Sequence, residues 1–443
     1  MATTFPSRQD ESTEHTRWNF AIIVGESTFF MSGLAWVDPS AVLPLFIGRL
    51  TPSTLVIGLI TVVQQLGWKA PQIFMAAVLG HRPNKLPFLR WPVLLGRLPF
   101  FAFVAYLWLK GLGNTSLVIW FVVIAYASIS FGNGTLGISW NDIIAKSIPS
   151  RLRGRFFGTM QFTTAMFAFA VGFAVRWLLG PAGPGFPRDY TLLFTAMAVF
   201  LALSVIGCWL VREPIRPVLD QPQSVGQLLV STLPMLRDRA FRSLVTVSLL
   251  GFAVSFTMPF YMVYAKQELG VRDDIAGVYI WAMTVGGAVA SIFWGYLNDS
   301  RGPRAVLRGG GVLVTAVPLL AVALPPALLA AAGPAPPLAR ALPYLFALVF
   351  LSGGSAMGAM WMGSTNYLFE LCNDEDRPRY IAIFHLCTLP AALAALVVGW
   401  LLSYLSFTVV FLLLAACGAT ALTASALMPP VPMEEEPESR AAI

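Results

Sequence analysis

Apolar residues run in twelve long stretches between residues 18 and 428, separated by short polar or charged segments. Most reach or exceed about 20 residues, the length a helix needs to cross a hydrocarbon core about 30 Å thick. Such a core holds no water, so every backbone N–H and C=O must be satisfied within its own segment, and each stretch reads as a helix. The predicted spans are 18–38, 54–79, 91–110, 116–145, 156–179 and 190–211, then 241–265, 275–297, 309–331, 341–370, 380–404 and 407–428. Almost nothing joins the last two, yet together they are too long for one tilted helix.

The longest polar segment, 212–240, follows the sixth stretch and carries Pro214, Pro217 and Pro222 among several charges. It divides the chain into six stretches and six. The pattern predicts an all-α integral membrane protein: twelve transmembrane helices in two pseudo-symmetric six-helix bundles. Residues 1–17 form a cytoplasmic tail, 18–211 the first bundle, 212–240 a cytoplasmic loop, 241–428 the second bundle and 429–443 a second cytoplasmic tail. An apolar content of 57% and a mean hydropathy of +0.71 exclude an ordinary soluble domain.

Charge supplies the orientation. With the first terminus inside, roughly twenty Lys and Arg fall in cytoplasmic segments and roughly seven outside, the bias of the positive-inside rule. Both termini are therefore expected in the cytoplasm of a protein of the cell inner (plasma) membrane. The net charge of +7 reflects this bias. It calls for anionic lipid on the inner face, not for nucleic acid. Residues 1–17 are polar and the first stretch is too long for the apolar core of a leader, so no cleaved signal peptide is expected. Residues 1–15 and 430–443 are expected to be disordered. Cys208, Cys372, Cys387 and Cys417 have neither metal-ligand spacing nor a placement that suits a bridge.

The halves echo each other. Arg153-Gly154-Arg155-Phe156 follows the fourth stretch and Arg377-Pro378-Arg379-Tyr380 the tenth, an offset that aligns Asp142 with Asn366. Gly80-His81-Arg82-Pro83-Asn84-Lys85 follows the second, and Gly295 to Arg304 closes the eighth as Gly-x-x-x-Asp-x-x-Gly-x-Arg. With the six-plus-six pattern and the long central loop, this element resembles the major facilitator superfamily over residues 18–428. The second copy has Gly295, Asp299, Gly302 and Arg304 in place. The first has Asn84 where the acid is expected and Pro87 where the second glycine is. Residues 140–158 are similar to a stretch of bacterial members of that family.

The element has a physical reading as a cytoplasmic gate. Gly295 would let two helices approach closely. Asp299 would accept bonds from a neighbouring helix N-terminus or from Arg301 and Arg304. In the first half Asp142 would replace the missing acid and pair with Arg82, Lys85 or Arg153. The alternative is that these charges only set topology.

Ionisable groups deep in a span normally face a cavity or a partner. Glu26 and Lys69 lie at similar depths in consecutive spans and are expected to pair, either as an inert bridge or with Glu26 as a proton-coupling carboxylate. His385 is a second proton-coupling candidate. Spacings of three, four and seven put polar residues on single faces of the first and fourth spans of each half. Thr28 and Ser32 share one face of the first. Asn133 and Asn141 share one in the fourth, Tyr261 and Tyr264 in the seventh, Met362 and Asn366 in the tenth. With Glu26, Gln65 and Lys69 they are the candidate substrate cavity, and the resemblance implies that these spans line the central path. Gln64, Gln161, Tyr279 and Trp361 are further candidates. The alternative is small-residue packing between helices.

Such a cavity suits an uncharged, zwitterionic or amphipathic small molecule. No Walker-type loop, metal motif or nucleophile triad appears, so an enzyme is not expected, nor a cofactor or metal. The reading is a secondary active transporter moving a small organic solute by alternating access, with protons as candidate coupling ion. Its partners would be the solute and membrane lipids, and the protein would act as a monomer. A non-transporting receptor or sensor, or a lipid flippase, on the same fold is the alternative.

Overall fold

The computed structural model describes residues 8–79, 82–214, 226, 233–332, 336–372 and 377–430. Most of the loop expected at 212–240, and nearly all of the tail expected at 429–443, lie outside these residues. The first half contributes α1 (Arg8–Trp36), α2 (Thr54–Leu79), α3 (Leu86–Lys110), α4 (Thr115–Ser147), α5 (Ser150–Leu178) and α6 (Arg188–Leu210). The second contributes α7 (Arg239–Ser255, continued by Met258–Gln267), α8 (Ile275–Arg301), α9 (Pro303–Ala332) and α10 (Ala347–Glu370). It ends with α11 (Arg377–Thr388, a 3-10 turn Leu389–Ala392, then Leu393–Leu401) and α12 (Phe407–Ala426). Among the described residues, ten of these are long and apolar enough to cross a membrane. With α1 and α2 they make twelve crossings in two six-helix bundles.

Three boundaries depart from the sequence pattern. α1 starts at Arg8, inside the segment expected to be disordered. Its near end is tied down by side chains: the Asn19 amide donates to Ser147 Oγ (2.9 Å) and to the Arg212 carbonyl (2.6 Å). α7 is broken at Phe256–Thr257, where Pro259 has no N–H to carry the ladder on; the Thr257 hydroxyl donates to the Val254 carbonyl (2.6 Å) at the break. α11 breaks for the same reason at Pro390. A short helix, Val42–Leu50, lies between α1 and α2 at the face away from the termini.

Within the first bundle α1 packs on α5 and α6, and α4 on α2 and α3. Within the second, α10 packs on α8 and α9, and α12 on α7 and α9. The halves meet along α5 with α8 and along α2 with α11, mainly toward the face away from the termini. Glycine permits both crossings. A Cβ on Gly58 would sit 2.5 Å from the Ala395 carbonyl, and one on Gly277 2.4 Å from the Gly172 carbonyl. Gly277→Val is therefore expected to force α5 and α8 apart. The check is a cysteine placed at Ile57, which is buried in α2 next to that face. In a background without the four native cysteines, its thiol should react faster with a membrane-impermeant maleimide when Gly277 is valine. An unchanged rate would show that the crossing does not depend on this glycine.

Toward the terminal face the inter-bundle surfaces open. Phe162 on α5 is 68% exposed and Ile292 on α8 is 77% exposed. Among the described residues no hydrogen bond or ion pair joins the halves there.

Candidate functional site

The two halves share a cation at mid-depth. Lys69 of α2 reaches across to α7, its ammonium 5.0 Å from the Phe252 ring centroid and 5.4 Å from that of Phe256. A spacing of four puts both rings on one face of α7, stacked at 5.8 Å. Trp361 of α10 packs edge-on against Phe252 (6.4 Å) and lies 6.5 Å from the His385 ring of α11. Lys69 is near enough to act on His385 through space. Trp361 is 53% exposed, and one turn earlier Gly358 faces open space. The cluster therefore borders the gap between the halves.

Lys69 is buried, and among the described residues no carboxylate comes within ion-pair distance of it. A cation–π contact contributes about 0.5–2 kcal/mol. Taking an ammonium out of water costs several kcal/mol. Two rings do not clearly offset that cost, so the site carries a deficit of negative charge.

The expected Glu26–Lys69 pair does not form. Glu26 turns into the first bundle, where it accepts bonds from Ser204 (2.6 Å), Ser27 (3.2 Å) and Trp140 (3.3 Å). It packs against Gly207 of α6, on which a Cβ would come within 2.8 Å of the Glu26 Cβ. Its cationic neighbour is Arg97 of α3, which donates to the Leu201 carbonyl (3.0 Å) and stacks over Phe30 (5.2 Å). Similar depth does not make two side chains face each other; the angle about each helix axis decides. The signal for Arg97 was present as a cation inside the third stretch.

Other cavity candidates scatter. Thr28 bonds Thr163 of α5 (2.6 Å). Ser32 and Asn133 are buried, and Gln65 and Asn366 are half-buried. Asn141 is spent on its own helix, donating to the Gly137 carbonyl (2.9 Å). Tyr261 and Tyr264 do not face the gap. Tyr261 stacks on Phe411 of α12 (4.6 Å), and Tyr264 packs on Phe407 and Phe411. Tyr279 is likewise internal, stacked on Phe350 at 4.3 Å. Met362 packs beside Trp294 within the second bundle. Aromatic stripes here follow the bundle core, which selects large apolar rings as strongly as a cavity does.

At the terminal face the first half holds a closed charge cluster. Asp142 pairs with Lys85 (3.0 Å) and Lys146 (2.7 Å). Of the three alternative partners, Lys85 is the one that meets it. Arg82 stacks over Phe88 (5.0 Å), and Arg153 donates to the Ala145 carbonyl (3.2 Å). Glu213, overlooked in the sequence, completes the cluster. It pairs with Lys146 (3.1 Å) and accepts the backbone N–H groups of Lys85 (2.7 Å) and Leu86 (2.9 Å), capping the start of α3. An acid just past the end of a long apolar stretch was its only signal.

The second-half element is built differently from the expected gate. Gly295 faces open space and mediates no close approach. Close packing of α8 on α10 falls instead at Gly286, 2.0 Å from the Leu351 carbonyl for an added Cβ. Gly302 is the single residue between α8 and α9 and adopts φ +76, which only glycine takes without strain. Asp299 makes no hydrogen bond or ion pair among the described residues. Arg304 and Arg308 both donate to the Ala426 carbonyl (3.0 Å each), satisfying the end of α12. Arg301 lines an open pocket with Arg304 and Glu370.

At the opposite face one acid joins the halves. Asp273, in the turn before α8, is 7% exposed. It pairs with Arg49 of the Val42–Leu50 helix (2.5 Å) and with Lys266 of α7. Donating to the Asp273 carboxylate raises the pKa of the Arg49 guanidinium above its ordinary value, against partial burial. The Thr54 hydroxyl donates to the Gly399 carbonyl (2.6 Å), and the Trp281 indole N–H to the Phe169 carbonyl (2.7 Å), both also between halves.

A family model for the Major Facilitator Superfamily matches residues 27–332 and 262–442. No curated protein matches the chain in sequence. Among solved structures, the chain is similar to the nucleoside transporter NupG, with a TM-score of 0.62, 15% identity, and 94% of this chain and 98% of that one covered. It is similar to the D-xylose-proton symporter at 0.63 and 14%, covering 95% and 98%. A bacterial homologue of the iron transporter ferroportin in its inward-facing state gives 0.64 and 15%, covering 92% and 98%. At these identities the likeness is one of fold.

Proposed function

The chain belongs to the major facilitator superfamily, and from that premise we propose that it is a secondary active transporter. It moves a small organic solute across the cell membrane by alternating access, with the terminal face in the cytoplasm. The observation that carries this reading is the asymmetry of the inter-bundle contacts. One face is closed by Asp273 bridging Arg49 and Lys266 and by two glycine crossings, while at the other face no hydrogen bond or ion pair joins the halves among the described residues. Rigid bundles joined at one end can exchange that end for the other around a mid-depth site. The gate candidates Arg301 and Arg304 then lie on the parted face, without an inter-bundle bond among the described residues, as a cytoplasm-open state requires.

Uptake of solutes into proteoliposomes, with and without a pH gradient, tests the reading; protein that binds a solute but never moves it would point to a receptor. Of the two proton-coupling candidates we assign the role to His385, which borders the gap beside Lys69, and not to Glu26, which is turned away from it. His385→Asn is expected to flatten the pH dependence of uptake, while Glu26→Gln preserves that dependence. The reverse pattern would return the role to Glu26.

A further inference from the structure

We propose that Lys69 is the charge that receives the solute, and that the solute is a monovalent organic anion with an aromatic or alkyl body. The assignment rests on the transport reading of the same gap. It follows from what surrounds the ammonium. The acid expected to neutralise Lys69 is held elsewhere by Ser204 and Trp140, so no protein carboxylate serves it among the described residues. The other deep cation, Arg97, is sequestered in the first bundle by Phe30 and the Leu201 carbonyl. A dianion or phosphate would want more than one fixed cation in the gap. One ammonium matches one carboxylate. The other neighbours are the buried rings of Phe252 and Phe256 and the exposed ring of Trp361, with His385 beside Trp361. These faces suit an apolar body and offer little to a polyol. A cationic solute would meet Lys69 as a like charge.

The test uses the full chain, purified in detergent. Thermal unfolding is followed with benzoate, phenylacetate and octanoate, with the matching primary amides, and with benzylamine. A ligand that binds the folded state raises its apparent stability. At least one carboxylate is expected to raise the unfolding temperature saturably, with its amide at least about tenfold weaker and benzylamine without effect. This comparison needs no variant. Lys69→Met should weaken the carboxylate by about tenfold or more, and Lys69→Arg should restore most of it. Trp361→Ala should weaken the ring acids more than octanoate. The assignment is overturned by amides that bind as well as their acids, by a panel in which no carboxylate binds, or by unchanged affinity in Lys69→Met. The two readings fail separately. A carboxylate that binds at Lys69 but is not carried into proteoliposomes removes the transport reading and leaves the assignment. Carriage of a neutral or cationic solute without carboxylate binding does the opposite.

Discussion

Replacing Asp273 with alanine is expected to open the face that the structure shows closed. This one carboxylate, 7% exposed, meets a cation from each half. Its loss removes the inter-bundle tie to Arg49 and leaves Lys266 without its partner. Arg49 is 46% and Lys266 38% exposed, so water and salt screen both ends. An exposed pair contributes at most about 1 kcal/mol, a charge-assisted bond to a buried acid about 1.5–3 kcal/mol. We take about 2 kcal/mol for the whole latch, a shift of about thirtyfold in the balance between the two states. The thiol of a cysteine at Ile57 should then react about tenfold or more faster with an impermeant maleimide. Asp273→Asn should fall between, since an amide still accepts one bond from Arg49. Equal labelling rates in Asp273→Ala and the parent would mean that the glycine crossings and the Thr54 and Trp281 hydrogen bonds hold the face shut without it. High salt should mimic the substitution weakly, because the cations are partly exposed.

Glu213→Ala is expected to have the largest effect on stability. The Glu213 side chain is 1% exposed, and three donors converge on it: the Lys146 ammonium and the backbone N–H groups of Lys85 and Leu86. Removing one partner of a buried pair costs about 3–5 kcal/mol, because the other charge stays buried and unmatched. Here Asp142 still serves Lys146, which places the cost toward the lower end. The loss of the cap on α3 adds about 1 kcal/mol. Thermal unfolding in detergent should show a clearly lowered midpoint for Glu213→Ala and a smaller fall for Glu213→Gln, which keeps an acceptor for the backbone. A midpoint within a degree of the parent would show that the cluster is wet and compensated by water. Asp142→Asn should cost less, since Asp142 is 28% exposed.

The contrast between Glu213 and Glu26 shows what a pattern of residues conveys. Glu26 drew attention because an acid inside an apolar stretch is costly, and it is indeed buried and bonded. Its partners could not be read, because Ser204 lies 178 positions away and is one of many serines in the spans. Glu213 stood at the start of a polar segment, where an acid costs nothing, so its place just past a long apolar stretch was a weak signal. Lys69 was legible as a deep cation. That it faces Phe252 across the gap, and not Glu26, depended on the rotation of α2 about its axis. The motif from Gly295 to Arg304 was legible as a motif, yet only Gly302 has the conformational role its type implies.

The twelve crossings, their division into two sixes and the family itself were determined by the sequence alone. The reason is that hydropathy over about 20 residues is a local property, and lipid enforces it segment by segment. The latch at Asp273 and the isolation of Lys69 were decided only by the tertiary structure. Each depends on which faces of separate helices meet, and that is set by packing between segments far apart in the chain.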